Sequence, residues 1–445
     1  MSKLPPEYLT AKEAAKEAIK ESDMNQAFDN IRPYLDYPGM IDDDSMWVDI
    51  FTLFKTIAVP VLGVSVDMAI QAVIDDPDSA ENLYDLAYEL YEVGLNGVAA
   101  TLLRRALDLE PYNTKVITEL SSNLEALMYF SEAHKMLVSS REYFGDNSLC
   151  FYLLGYNSLM TGNVDEARSI LPIIENDPDE TIQHMYTMLS GMVNRADALK
   201  KTRLLDDKDL RGWHLVLNGS ILLHLSPFGF DEGMNGRYAF ISDSYSLIKD
   251  GIMRIKKVID TTDIAVDEII TLPDRSSRIL AIATSKILDV PIVELSESEN
   301  DTHGLIVVYD LDDIEDSDIV VKLHSHNQRI LWAHASCWTN PFPYAADLTT
   351  YLYQSKIAPW GAQLTFNEDQ VQTSSVDESS EDELAKKIVE AEIDEDYFDD
   401  TKDILSLIEN MKEVEHIHRP GIFQTSGKRL RFRNSSPVGS NRFLF

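Results

Sequence analysis

Residues 80–111 read AENLYDLAYELYEVGLNGVAATLLRRALDLEP, and the pattern returns twice at a fixed distance. Leu86, Leu120 and Leu154 are 34 residues apart, as are Ala99, Ala133 and Ala167, and Leu103, Leu137 and Leu171. Three columns on one period mark a repeat, and this period is the length of a helix–turn–helix unit. The spacing has a physical reason. Each unit offers two short helices with one apolar face apiece, so neighbours must stack to bury their leucines, and the alanine column is small where helices cross closely. A weaker unit precedes these at 46–79. Stepping back one period from Ala99, Leu103, Ala106 and Pro111 gives Ser65, Ala69, Ala72 and Pro77. The register fails at Lys201, so one capping or linking helix is expected over 181–204.

The leucine and alanine columns, with Gly155 and Pro111 where the pattern asks for them, resemble the tetratricopeptide repeat family. The resemblance implies an α-helical solenoid and a binding scaffold whose first helices line a concave groove. On that register the groove positions are Glu81, Tyr84, Tyr88 and Glu92, then Lys115, Thr118, Ser122 and Glu125, then Tyr152 and Tyr156. Some relatives hold acidic C-termini with Lys, Arg and Asn at such positions. Glu and Tyr predominate here, which suits an extended basic and aromatic protein segment instead. The alternative is that the tyrosines pack between helices and the acids are merely solvated.

Two or three domains are expected from 445 residues, and 44% hydrophobic content is ample for real cores. The formal charge of −36 disfavours DNA and anionic membrane as partners. No run of 18 apolar residues occurs, so no membrane span is expected. The first thirty residues lack a signal-peptide pattern. The two cysteines, Cys150 and Cys337, give no disulfide framework. The expectation is a cytoplasmic protein.

Around the repeats, residues 1–45 read as a solvated helix followed by a loop at Pro33, Pro38, Gly39 and Asp42–Asp44. After residue 205 the texture changes to strands alternating with helices, which implies an α/β domain with a mostly parallel sheet to residue 366. Strands are expected at 267–272, 291–295, 304–309, 319–322 and 330–333. Helices are expected at 243–260, 274–288 and 346–354. The stretch 213–225 is apolar enough to be a buried strand or helix. Residues 367–418 form an acidic linker, with 18 acidic against 4 basic residues in 368–415. It is expected to be disordered at 374–380, with marginal helices at 381–393 and 404–414. Residues 419–445 form a basic arm: Arg419, Lys428, Arg429, Arg431, Arg433 and Arg442, with no acid. Its sign and its phenylalanines make it a partner for an acidic surface, including the groove of its own chain.

Chemistry has three candidate places. Asp274, Arg275, Ser276 and Ser277 lie between a strand and a helix N-terminus, where free N–H groups suit a phosphate. The strand at 304–309 runs into Asp310, Asp312 and Asp313, and an apolar strand ending in paired carboxylates resembles the ribose-phosphate motif of phosphoribosyltransferases. The family continues with a Thr/Gly-rich loop, whereas Ile314-Glu315-Asp316-Ser317-Asp318 follows here. Asp310 and Asp312 also resemble a haloacid-dehalogenase strand end, but Asp313-Ile314 stand where that motif has Gly-Thr. Lastly, His324 and His326 with His334 and Cys337 carry ligand types for zinc, set among tryptophans that suggest packing. His334 and Cys337 would also suit a nucleophilic pair. No P-loop, dinucleotide fingerprint, His-Glu-x-x-His or Gly-x-Ser-x-Gly occurs, and no cofactor is expected. The reading is a non-catalytic interaction scaffold. The alternative is a phosphoribosyltransferase-like enzyme or nucleotide-phosphate binder targeted by its repeats.

Overall fold

The structure is a computed structural model that describes residues 4–41, 44–200, 203–228, 233–262, 264–298, 302–324, 329–340, 342–362, 364–367, 370–393, 401–411 and 436–440. The chain divides into two compact units, Met1–Leu189 and Ser190–Phe445.

The first unit is helical throughout. It contains α1 (Pro6–Lys20), α2 (Met24–Leu35), α3 (Asp44–Leu62), α4 (Val64–Asp75), α5 (Ala80–Glu92), α6 (Asn96–Leu109), α7 (Thr114–Ala126), α8 (Phe130–Ser140), α9 (Ser148–Met160), α10 (Val164–Ile174) and the start of α11 (Glu180–Lys200). The starts of α5, α7 and α9 are 34 residues apart, and so are those of α6, α8 and α10. The punctuation repeats as well. Ser79, Asn113 and Asn147 cap α5, α7 and α9, each side chain accepting a hydrogen bond from the first-turn backbone. Gly94, Met128 and Gly162 each close the hairpin turn with positive φ. The leucine and alanine columns are fully buried, except Leu171, which is half-buried. α7 packs against α5, α6, α8 and α9.

The N-terminal residues depart from the expected helix and loop. α1 and α2 form a hairpin, with Tyr8, Ala15 and Ala18 buried. Tyr8 and Lys12 both bond Asp49 of α3. Pro33 lies inside α2, because the hydrophobic face Ala27, Ile31 and Leu35 continues past it. Asp42 and Asp43 lie outside the described residues. Among the described residues one helix, α3, is long and apolar enough to cross a membrane by composition, although no run of 18 apolar residues occurs. It buries Met46, Trp47, Ile50, Phe51, Leu53, Phe54, Ile57 and Ala58.

The second unit adds α12 (Leu210–Asn218), β1 (Ile221–Leu222), β2 (Tyr238–Ser242), α13 (Tyr245–Thr262), β3 (Glu268–Thr271), α14 (Arg275–Leu288), β4 (Ile292–Glu294) and β5 (Gly304–Asp310). There follow α15 (Ser317–Leu323), β6 (Arg329–Cys337), β7 (Leu348–Ile357), β8 (Leu364–Asn367), β9 (Gln370–Thr373), α16 (Glu381–Glu390) and α17 (Thr401–Met411). Seven strands form one sheet in the order β1-β7-β6-β5-β3-β4, with β2 also on β7, and all its pairings are parallel. β3, β5 and β6 are buried along their whole length, as a sheet covered on both faces requires. β8 and β9 form a separate antiparallel pair.

Two elements have the opposite type to that expected. Residues 319–322 belong to helix α15, whose N-cap Asp316 accepts from Asp318 and Ile319 N–H. Parallel β5 and β6 need a crossover connection, and α15 lies on it. Residues 346–354 fall largely in strand β7, where Thr349, Thr350, Tyr351 and Tyr353 favour a pleated surface. The stretch 213–225 divides into the end of α12 and β1. The described helices of the acidic stretch pack within the unit rather than run as a free linker. α16 starts with a capping box at Ser380 and Glu383 and buries Leu384, Ala385 and Ile388, packing on α13 and α14. In α17, Ile404, Leu407 and Ile408 are buried, and Asp403 pairs with Arg203 and Arg211.

Candidate functional site

In an open parallel sheet, ligands bind beyond the C-terminal strand ends, where the strand order reverses. Here β3 leads through α14 to β4 on one side, while β5 pairs with β3 on the other. The loops after β3 and β5 therefore flank the reversal, and these loops carry Asp274–Ser277 and Asp310–Asp313. The structure joins them directly: Tyr309 N–H donates to Ser277 Oγ at 3.0 Å.

Each of the proposed phosphate contacts is engaged within the chain. Asp274 caps α14 through the Ser277 N–H at 2.8 Å. The half-buried Arg275 guanidinium donates to the carbonyls of Asp377 and Ser379 at 2.7 and 2.8 Å. Ser276 accepts from the Trp360 indole at 3.0 Å, and Asp377 N–H bonds Trp360 O. Residues 374–380, expected as disordered, are thus clasped over the α14 N-terminus. The reason is Arg275 together with the Lys387–Asp377 pair at 2.9 Å.

The Asp310 carboxylate is buried and accepts from Tyr353 Oη and Lys356 Nζ, both at 2.6 Å. Burial raises its pKa to about 6, with the Lys356 charge opposing. Lys356 also stands 4.5 Å from the Tyr309 ring centre, as a cation over an aromatic face, and 3.5 Å from Asp313. Asp312 accepts from Cys337 N–H at 2.6 Å and Ser336 Oγ at 3.1 Å. The carboxylates that resemble a ribose-phosphate motif thus tie the ends of β5, β6 and β7 together.

The histidines and cysteine do not gather. His334 is fully buried, with Nε2 3.1 Å from Asp243 Oδ2. The same oxygen accepts from Tyr309 Oη at 2.7 Å. Burial, then the Asp243 charge, holds Tyr309 well above the usual phenol range, so it remains a donor. His324 stacks on Tyr344 at 5.0 Å. Cys337 Sγ is 3.2 Å from Thr339 Oγ1. His326 lies outside the described residues. Among the described residues no group of three or more His, Cys, Asp or Glu is placed to hold a metal ion.

In the helical unit, Glu81, Glu92 and Lys115 are exposed and Tyr84, Thr118 and Ser122 half-buried; Tyr88 is 47% exposed. Burial, then the Glu92 charge, raises the Glu119 pKa. Burial, then Glu119 and Tyr88, raises that of Tyr84. Tyr84, Tyr88, Glu92 and Glu119 therefore lie together on one acidic, aromatic face across α5 and α7. Tyr152 and Tyr156 are a correction. They are 4% exposed and stack on each other at 6.1 Å, because α9 is covered by its neighbours. Glu125 is tied to Asn157 Nδ2 at 2.6 Å and Ser121 Oγ at 3.1 Å.

The sequence reading missed Asp243, Tyr353, Lys356 and Glu119. The alternation Tyr351-x-Tyr353 in β7 was a usable signal for the second of these; Asp243, 91 residues from His334, gave none. Compared with protein-family models and with curated proteins, the chain matches neither.

Proposed function

We propose that the chain is a non-catalytic protein-interaction scaffold. Its helical unit is read as a tetratricopeptide-type solenoid that takes an extended basic and aromatic segment on the α5–α7 face, and its α/β unit is a second binding or structural module. One contrast carries the reading. Arg275, Ser276, Asp310 and Asp312 spend their polar atoms on the protein itself, whereas Glu81, Tyr88 and Glu92 stand in solvent. Carboxylates among tyrosine faces attract guanidinium and ammonium groups both by charge and by the ring quadrupole. The test is a peptide array varying Arg, Lys and aromatic content. Binding should weaken with salt and be lost in Glu92→Lys/Glu119→Lys. Equal binding of acidic and basic peptides would remove the reading.

A second reading rests on the Ser277–Tyr309 bond, which brings both candidate loops to the strand-order reversal. On this reading the α/β unit binds a nucleotide or phosphoribosyl compound. Such ligands should raise the melting temperature, and Arg275→Ala should abolish the rise. A panel giving no shift on the unaltered chain rejects it.

A further inference from the structure

The Met234-Asn235-Gly236-Arg237 sequence forms a tight turn. Asn235 and Gly236 both have positive φ, and Arg237 N–H bonds Met234 O at 3.1 Å, as an Asn-Gly pair at its centre favours. The turn projects Asn235 and Arg237 onto the segment Ser436-Pro437-Val438-Gly439-Ser440. Asn235 Nδ2 donates to Gly439 O at 2.8 Å. The Arg237 guanidinium lies 3.4 Å from the carbonyls of both Val438 and Gly439, with the Trp338 ring 5.4 Å away. Arg237 is 2% exposed and Val438 fully buried.

Burial of a guanidinium is unfavourable, and it lowers the Arg237 pKa to about 10. Among the described residues no carboxylate pairs with it, so carbonyl dipoles take that role. The segment is prepared for the contact. Pro437 fixes one φ angle, and Ser436 Oγ accepts from Val438 N–H at 3.2 Å. A segment that is already turned loses less entropy on docking.

We propose that Asn235, Arg237 and Trp338 form a peptide-binding site in the α/β unit, one that reads two successive backbone carbonyls beside a small apolar side chain. Its occupant is the chain's own Ser-Pro-Val-Gly stretch, and the site takes the same stretch as a separate peptide. It therefore fastens the C-terminal arm to the α/β unit, whichever reading of the function holds.

The test uses the full chain and a fluorescent peptide of residues 433–441. Val438→Lys places a second positive charge beside Arg237 and empties the site. This variant should bind the peptide about tenfold more tightly than the unaltered chain, whose tethered segment competes at high effective concentration. Arg237→Gln added to Val438→Lys should abolish binding. If V438K does not fold by circular dichroism, Val438→Gly serves the same comparison. No binding to the folded variant, equal binding to both chains, or binding indifferent to Arg237→Gln overturns the site. Loss of folding in both Val438 variants overturns it too, by showing the segment to be core rather than ligand.

Discussion

In the helical unit, partners in the structure are partners in the register. Caps, turns and buried apolar columns recur every 34 residues, and even the buried amides Asn123 and Asn157 stand one period apart. In the α/β unit the decisive pairs join distant segments. His334 meets Asp243 across 91 residues and Arg203 meets Asp403 across 200. One unit repeats a local rule, while the other adds to its apolar core polar contacts between segments far apart in sequence. The two should therefore fail differently when a residue is changed.

The largest effect is expected in the α/β unit. Asp243→Ala strands Tyr309 Oη and His334 Nε2 in the core, and each buried polar group left without its partner costs ~1–3 kcal/mol. Urea denaturation should show this, and a loss under ~1 kcal/mol would mean that water already serves these groups. Next comes Ala133→Trp in the helical unit. Ala133 is fully buried in the tight column, and overpacking there should cost ~1–3 kcal/mol. An unchanged melting temperature would break the register argument.

Arg275→Ala tests whether the acidic stretch belongs to the α/β unit. Losing two bonds from a half-buried guanidinium should cost ~1–2 kcal/mol and speed hydrogen exchange at the Asp377 amide. Exchange unchanged at that amide would mean the clasp holds without Arg275.

A pH comparison addresses Asp310. Its carboxyl titrates near 6 in the fold because of burial, above the unfolded value, so the folded state binds the extra proton. Its contribution to stability is thus present at low pH and lost as pH rises from about 4 to about 6. Asp310→Asn should lack that fall, so the difference between the two stability curves should show it. Parallel curves across the window would show that Lys356 keeps Asp310 ionised throughout.

This contrast also explains what was legible in the sequence. A leucine column declares itself because its partner is always one helical turn or one period away. The strands at 268–271 and 304–310 were equally plain, since a buried parallel strand is a continuous apolar run. β7 was misread because Leu348 and Leu352 also fit helical spacing, and only pairing with β6 decides between the two. Residues 374–380 look disordered by composition, and what orders them is Arg275, about a hundred residues upstream, together with Lys387. The candidate site was half legible. Its loops were named, but Asp243 and Lys356 carry no local motif, and only the strand alternation pointed to Tyr353.

The smallest effect lies where the repeat breaks its own rule. Gly94 and Gly162 close their turns with φ of 80°, and Met128 does so at 63°. A side chain in this left-handed region costs ~1–2 kcal/mol. Glycine avoids that but gives the unfolded chain more freedom, worth ~0.5–1 kcal/mol. Met128→Gly should therefore stabilise the helical unit by a net ~0.5–1 kcal/mol, reduced by whatever the half-buried Met128 side chain contributes. Gly94→Ala provides the reciprocal measurement. An added Cβ there meets nothing within 4 Å, so its cost is backbone strain alone. If Met128→Gly stabilises and Gly94→Ala destabilises by similar amounts, the turn is set by φ and the methionine is a tolerated exception. If Met128→Gly destabilises instead, its side chain holds the α7–α8 turn through packing, and the local rule yields to a tertiary contact even in the periodic unit.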